Sequence, residues 1–186
     1  GIRCIRTLGG RIMPRAILDL GNPNDLEQVN GVWKFAPGLV PGEPNEGLIA
    51  QSEGSAARLP DYDDSGWDKC HDLTKWYSHG VAFAWYRIRF TLPAAVNGRS
   101  LSGSRCIFET CVDDYGEIWI DGDCNRDRGA VQGFNVPQRV VIDSEPSPGD
   151  EHTVAILGVN GPIGAPGGAV FVRYATLAFE WREPGY

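Results

Sequence analysis

Residues 106–122 read CIFETCVDDYGEIWIDG, which is the pattern of two strands joined by a tight acidic turn at residues 113–116. Successive side chains of a strand point to opposite faces of a sheet, so Ile118 and Ile120 share one face. The opposite face carries a carboxylate, an indole and a second carboxylate, from Glu117, Trp119 and Asp121. The stretch therefore predicts a β-hairpin with one core face and one face suited to a groove or to solvent.

The remaining chain contains further short strands separated by Pro- and Gly-rich turns. Residues 80–93 (GVAFAWYRIRFTLP) alternate between apolar side chains and a face that carries Trp85, Arg87 and Arg89. Additional strands are predicted at 32–35, 139–143, 153–160 and 169–179, whereas helical periodicity is suggested only around 68–76. Short strands without a helical layer predict an all-β fold, an antiparallel sandwich or barrel. The residues expected between its sheets are Tyr86, Ile88, Phe90, Ile118, Ile120, Val154 and Ile156.

Composition limits the function more than it identifies it. The 186 residues carry a formal net charge of −7, which argues against a nucleic-acid or anionic-membrane partner. No apolar run is long enough to span a bilayer. Residues 1–15 fit nothing that follows and are predicted to be a leader or an appended arm, with one domain over 16–186.

The five cysteines have no metal-type or redox-type spacing. They are Cys4, Cys70, Cys106, Cys111 and Cys124. An odd count without C-x-x-C predicts mostly reduced thiols, which favours an intracellular, cytoplasmic location. The three histidines also lack metal-ligand spacing, so no cofactor is required by the pattern.

Two loops bear on function. Residues 36–60 form a long Pro- and Gly-rich segment, and loops of that length are usually functional or poorly ordered. Residues 61–67 (DYDDSGW) predict a turn whose Asp side chains bond local backbone amides, with Trp67 closing one end of the core. The alternative is a calcium loop formed by Asp61, Asp63 and Asp64.

The order of these motifs resembles the galactose-binding-like jelly roll, the N-terminal sugar-binding domain of family two glycoside hydrolases. The matching motifs are the Trp-Tyr-Arg strand at residues 85–87, the strand pair that begins with Val112-Asp113 and ends with Trp-x-x-Gly at residues 119–122, and the Val-x-Asn strand that ends at Asn160. The resemblance implies a jelly-roll sandwich without the hydrolase's catalytic glutamates. It implies a non-catalytic carbohydrate-binding module, either free-standing or accessory to a carbohydrate-active enzyme that would be its larger partner. It also implies that a structural calcium ion is possible.

A saccharide or other small polar ligand needs an aromatic platform and planar polar groups. The candidate ligand-binding residues are Trp85, Arg87, Asp113, Tyr115, Glu117, Trp119, Asn135 and Asn160. The alternative is that both tryptophans pack under the 36–60 loop, with Arg87 and Glu117 as a buried salt bridge. If the site fails on that face, it is expected at the loop ends near Asn135 and Asn160.

Two other functional classes remain open. An enzyme would use Arg87, Asp113 and Glu117, with Arg173, as an acid–base pocket. A structural or interaction domain would instead expose an apolar patch on one sheet face.

Overall fold

The computed structural model describes residues 6–8, 11–42, 55–77, 82–125, 131–132, 135–161 and 169–182. Its strands are β1 (Arg6–Leu8), β2 (Arg11–Met13), β3 (Arg15–Asp19), β4 (Val32–Pro37), β5 (Asp68–Lys69), β6 (Ala82–Thr91), β7 (Ala95–Val96), β8 (Arg99–Ser100), β9 (Ser104–Asp113), β10 (Tyr115–Ile120), β11 (Val131–Gln132), β12 (Gln138–Asp143), β13 (Glu151–Asn160) and β14 (Phe171–Trp181). The helix α1 (Pro23–Gln28) and a 3-10 turn (Ala56–Arg58) complete the described elements.

Two antiparallel sheets face each other. One has six strands in the order β11-β10-β13-β6-β4-β5, and the other has four in the order β12-β9-β14-β3. The pairs β1–β2 and β7–β8 form separate two-stranded sheets. The predicted all-β antiparallel sandwich is confirmed.

The main hydrophobic core lies between these sheets and contains the predicted residues. Tyr86, Ile88 and Phe90 of β6 are buried there, as are Ile118 of β10 and two residues of β13, Val154 and Ile156. Ile120 is partly buried against the same cluster. The predicted alternation of these strands is therefore confirmed.

The predicted hairpin at residues 106–122 is wrong in its pairing. β9 pairs with β12 and β14, whereas β10 pairs with β11 and β13. A single residue, Asp114, connects them, so the chain leaves the four-stranded sheet at Asp113 and enters the six-stranded sheet at Tyr115. The stretch that resembles a hairpin is a crossing between the two sheets.

Gly116, which makes this stretch look like a hairpin turn, is needed because three strands pack closely around it. A Cβ atom built on Gly116 would lie 2.7 Å from a methyl carbon of Val112, closer than side chains tolerate. The Gln138 amide also donates to the Gly116 carbonyl at 2.9 Å. Glycine is required here for the close approach of β9, β10 and β12.

The helical elements differ from the prediction. Residues 68–76 contain the short strand β5 in place of a helix. After β5, the Cys70 amide donates to the Trp33 carbonyl, and Asp72 accepts from the Thr74 amide in the turn that follows. The helix α1 lies instead at Pro23–Gln28, and the Asn22 side chain caps it by accepting from the Asn24 amide. An Asn cap followed by Pro is the sequence signal that identifies this helix start.

The boundary predicted between the leader (residues 1–15) and the domain (16–186) falls at the start of strand β3. β3 begins at Arg15, whose guanidinium pairs with Glu109 of β9, and β1 and β2 pair with each other before it. Cys70, Cys106 and Cys111 are free thiols, and Cys4 lies outside the described residues. No helix in the described part of the chain is long and apolar enough to cross a membrane.

Replacing Ile118 with alanine is expected to destabilise the domain by about 2–5 kcal/mol, because it leaves a cavity in the core. Ile118 is fully buried and lies opposite Ile156. Chemical denaturation measures the change, and Val141→Ala, at an exposed site on β12, should stay within about 0.5 kcal/mol. A near-neutral Ile118→Ala would mean that β10 is displaced by one residue.

Candidate functional site

The sheet face predicted to bind ligand is covered by protein. Trp85 and Arg87 are fully buried, and Trp119 is 5% exposed. Trp85 donates its indole N–H to the Leu39 carbonyl at 2.7 Å, and both tryptophans form a second hydrophobic cluster with Ala57. Around Trp85, Arg87 and Trp119, the six-stranded sheet is thus buried on both faces. The hypothesis that Trp85 and Arg87 contact ligand is corrected, because the loop segments around Leu39 and Ala57 occupy that space.

Asp64 is the centre of the contacts beneath this cover. Its carboxylate accepts from Arg87 Nε at 2.9 Å, from Arg89 Nη1 at 2.9 Å and from Lys34 Nζ at 3.1 Å. Arg87 also donates Nη1 to the carbonyls of Ala57 and Leu59. The predicted Arg87–Glu117 salt bridge is therefore replaced by an Arg87–Asp64 pair.

Burial alone would raise the pKa of Asp64. Hydrogen bonds from Arg87 and Lys34, with the charge of Arg89, outweigh that effect and hold the pKa of Asp64 below its ordinary value. Burial lowers the pKa of Arg87, opposed by Asp64. The two charges stabilise each other in a place where neither is solvated.

The other predicted residues of β10 lie on the covered side. Glu117 is 7% exposed, and the Tyr115 hydroxyl lies 3.5 Å from one of its carboxylate oxygens. The guanidinium of Arg58 lies 5.4 Å from the centre of a Trp119 ring. Asn160, at the end of β13, is fully buried. These four residues therefore form packing and polar contacts within the fold.

Two of the predicted residues do converge at an open edge of the sandwich. Arg173 Nη2 donates to Asp113 Oδ2 at 2.8 Å, and Arg173 Nε donates to Asn135 Oδ1 at 2.8 Å. The Arg173 side chain is 46% exposed, and that of Asp113 is 16% exposed. A register shift between Val172 and Tyr174 marks a β-bulge at Arg173, and bulges often redirect a side chain near a site.

Aromatic rings lie directly beside this ion pair. The Arg173 guanidinium lies 4.9 Å from the ring centre of Phe171, and the same ring stacks with Trp76 at 6.0 Å and 14°. Trp76 is 64% exposed. We call these five residues, Trp76, Asp113, Asn135, Phe171 and Arg173, the loop-end cluster.

Sequence reasoning missed the aromatic half of the loop-end cluster. The signal for Trp76 is a tryptophan in the polar stretch DLTKWYSHG, where burial is not predicted by any alternation. Phe171 follows Val170, which bridges to Tyr77, so the topology brings Phe171 to Trp76. Neither relation is visible before the strand order is known.

Asp113 has an unusual charge environment. Burial, followed by the neighbouring Asp114, raises the pKa of Asp113 to about 6, although Arg173 and Asn135 act in the opposite direction. Asp114 is itself tied to the other sheet, since its amide donates to the Val159 carbonyl and its Oδ2 accepts from the Gly161 amide. The Asp113 carboxyl group therefore changes charge near neutral pH.

The acid–base pocket predicted from Arg87, Asp113 and Glu117 is not assembled. Arg87 is buried against Asp64, and Asp113 pairs with Arg173. The reason is the sheet crossing at Asp114, which places β9 and its last residue in the sheet opposite to Arg87. The enzyme alternative loses its proposed site.

The acidic turn at 61–67 has the local contacts predicted for it. Asp63 Oδ1 accepts from the Ser65 amide at 2.9 Å, and Trp67 packs against Tyr62 with ring centres 5.5 Å apart. Within the described residues, no group of three or more His, Cys, Asp or Glu side chains is arranged to hold a metal ion. The oxygens of Asp64 are directed at three cationic side chains.

Whether Asp61, Asp63 and Asp64 bind calcium can be tested directly. Because Asp64 is neutralised by Arg87, Arg89 and Lys34, we expect a chelator to leave the melting temperature unchanged. An ion bound only to the folded state raises its stability. A melting temperature that falls with chelator and recovers with added calcium would contradict this expectation.

No protein-family model matches the sequence, and no curated protein matches it. Solved structures do match. The chain shares its fold with part of family 2 glycoside hydrolases.

Three structures illustrate the likeness. Bacteroides uniformis β-glucuronidase 2 is 20% identical with a TM-score of 0.59 over 89% of this chain and 18% of that chain. A glycosyl hydrolase family 2 member from Bacteroides cellulosilyticus is 16% identical, with a TM-score of 0.57 over 88% and 20%. Faecalibacterium prausnitzii β-glucuronidase is 15% identical, with a TM-score of 0.52 over 90% and 31%.

The likeness confirms the predicted resemblance at the level of the fold. The chain spans between about a fifth and a third of the length of these enzymes, from 18% to 31%. It is therefore similar to one β-sandwich portion of a larger protein.

Proposed function

We propose that this chain is a non-catalytic carbohydrate-binding β-sandwich module, free-standing or accessory to a carbohydrate-active enzyme. Its ligand is a saccharide or another small polar molecule, and its site is the loop-end cluster. The observation that carries the proposal is the 64% exposed indole of Trp76 beside the Arg173–Asp113–Asn135 hydrogen bonds.

The chemistry of the cluster suits a sugar. An indole face can pack against the apolar face of a pyranose, and tryptophan offers a large rigid surface for it. Asp113 accepts hydroxyl hydrogens, whereas Asn135 can both donate and accept. Arg173 is held by two hydrogen bonds and by Phe171, so its donors are oriented before a ligand arrives.

The comparisons support the same class without defining the ligand. The solved relatives are β-glucuronidases and a family 2 glycosyl hydrolase, which act on carbohydrates, and this chain corresponds to a minor part of each. A common fold hosts many functions, so the argument rests on the cluster.

Titration calorimetry with a panel of monosaccharides and oligosaccharides tests the proposal. The Trp76→Ala variant should weaken binding by about tenfold or more, which corresponds to about 1.4 kcal/mol. Val32→Ala is the control, because Val32 is 47% exposed and lies on β4 of the six-stranded sheet, opposite Arg89 and outside the loop-end cluster. Binding that survives Trp76→Ala unchanged would remove the cluster as the site.

A second candidate function has one observation in its favour. Val136 and Tyr174 are 41% and 40% exposed and flank Asn135 and Arg173, respectively. With Trp76 they give this edge the apolar character of a protein contact. An interaction domain would bind no glycan in the panel, and Trp76→Ala would instead weaken association with a partner enzyme.

A further inference from the structure

We propose that the Asp113 carboxylate is an internal competitor for Arg173, and that the loop-end cluster accepts a carboxylate-bearing saccharide when Asp113 releases this guanidinium. The inference rests on the proposed function, and it adds a ligand class and a mode of regulation. It makes acidic sugars the preferred ligands at mildly acidic pH.

Two donors of Arg173 that a ligand carboxylate could use are already bonded to protein oxygens. Nη2 is bonded to Asp113 and Nε to Asn135, and the guanidinium plane lies near the Phe171 ring. Nη1 has no hydrogen-bond partner among the described residues, and nearly half of the side chain faces solvent. A guanidinium binds carboxylates through paired donors, so Asp113 occupies one of the positions that a ligand carboxylate needs.

The local charge explains why an anion is excluded while Asp113 is ionised. Among the described residues, the groups that face Asp113 are Arg173 from β14, Asp114 from the sheet crossing, the Asn135 amide and the Cys111 thiol. Arg173 contributes one positive charge against the two carboxylates. An anionic ligand therefore meets a net negative site, which repels it.

Protonation of Asp113 removes this repulsion of an anionic ligand. The pKa of Asp113 is raised to about 6 by burial first and by Asp114 second, so the group becomes neutral just below neutral pH. Neutral Asp113 no longer holds an ion pair with Arg173, and the excess negative charge disappears. By linkage, an acidic ligand that binds the protonated form must raise the pKa of Asp113 in return.

The test compares D-galactose with D-galacturonate, which differ at C6 and are both stable in solution. Calorimetric titrations at pH 7.5 and pH 5.0 should show galacturonate binding at least about tenfold more tightly at the lower pH, because a pKa near 6 leaves most Asp113 ionised at the higher pH. Galactose affinity should not rise at the lower pH, since galactose carries no charge and protonated Asp113 is a weaker acceptor for its hydroxyls. Asp113→Asn should bind galacturonate equally at both pH values, and more tightly than the unmodified chain at pH 7.5.

His152→Gln is the matched control for a second titrating group. His152 lies near the start of β13 in the six-stranded sheet, 2.8 Å from Asp121 and 3.4 Å from Asp143, and its pKa is raised chiefly by the Asp121 hydrogen bond. The pH effect on galacturonate should persist in this variant. Circular dichroism confirms that each variant is folded.

Three outcomes separate the inference from the proposed function. Galactose binding with no effect of pH or of Asp113→Asn on galacturonate overturns the inference alone. A pH effect that persists in Asp113→Asn also overturns it, because another group would then be responsible. Failure of both sugars to bind every folded variant overturns the proposed function and the inference together.

Discussion

Replacing Asp64 with asparagine is expected to destabilise the domain by about 3–5 kcal/mol, because it leaves a buried arginine without its counter-ion. Arg87 is fully buried and its Nε donates to Asp64, and the Asp64 side chain is only 4% exposed. An asparagine amide keeps the shape but supplies no charge. Denaturant unfolding monitored by tryptophan fluorescence measures the loss.

The neighbouring residue gives the control. Asp63→Asn alters an exposed carboxylate that accepts a local hydrogen bond from the Ser65 amide, so stability should change by no more than about 0.5 kcal/mol. Equal effects of the two substitutions would show that the Arg87–Asp64 pair does not support the covering segment.

The pH dependence of stability in the Asp64→Asn variant has a defined sign. The pKa of Asp64 is lowered in the folded state, so its contribution is present above the unfolded value, about 3.9, and is lost as pH falls through the folded pKa. The Asp64→Asn variant should therefore lose less stability than the unmodified chain during acid titration. A parallel acid profile would assign acid sensitivity to other carboxylates.

Replacing Trp119 with alanine is expected to destabilise the domain by about 3–5 kcal/mol, the usual cost of removing a large buried aromatic side chain. Trp119 is 5% exposed and packs with Trp85 and Ala57 under the cover of the six-stranded sheet. The Trp119→Ala substitution should change ligand affinity little in the fraction of the protein that remains folded.

Trp76→Ala is the matched control, because it removes the same side chain at 64% exposure. We expect Trp76→Ala to leave stability within about 1 kcal/mol and to weaken ligand binding. The reverse pattern, with stability lost at Trp76 and binding lost at Trp119, would return the site to the face predicted from the sequence.

Alternation in the sequence predicts the fold because it reports burial on one face. Tyr86, Ile88 and Ile118 reach the inter-sheet core as their period of two requires. The same rule fails on the other face, since a tryptophan and an arginine there suggest solvent or ligand. The structure supplies a cover whose Asp64 lies 23 residues before Arg87 in the chain, and no local pattern predicts that partner.

The candidate site is less predictable than the core for a related reason. Asp113 and Asn135 are recognisable as polar groups near turns, but the sequence places Asp113 in a hairpin. Only the sheet crossing brings Asp113 opposite Phe171, and only the bridge between Tyr77 and Val170 brings Trp76 to it. Long-range strand order, which decides these contacts, is not encoded in any single stretch.

The one-residue link between the two sheets connects the backbone of both layers to the open edge. Asp114 donates its amide to Val159 in the six-stranded sheet and accepts from the Asn135 amide beside Arg173. We therefore expect a ligand that displaces Asp113 to change the surroundings of backbone amides in both sheets. The amide chemical shifts of Asp114, Asn135 and Gly161 should report that the edge is occupied.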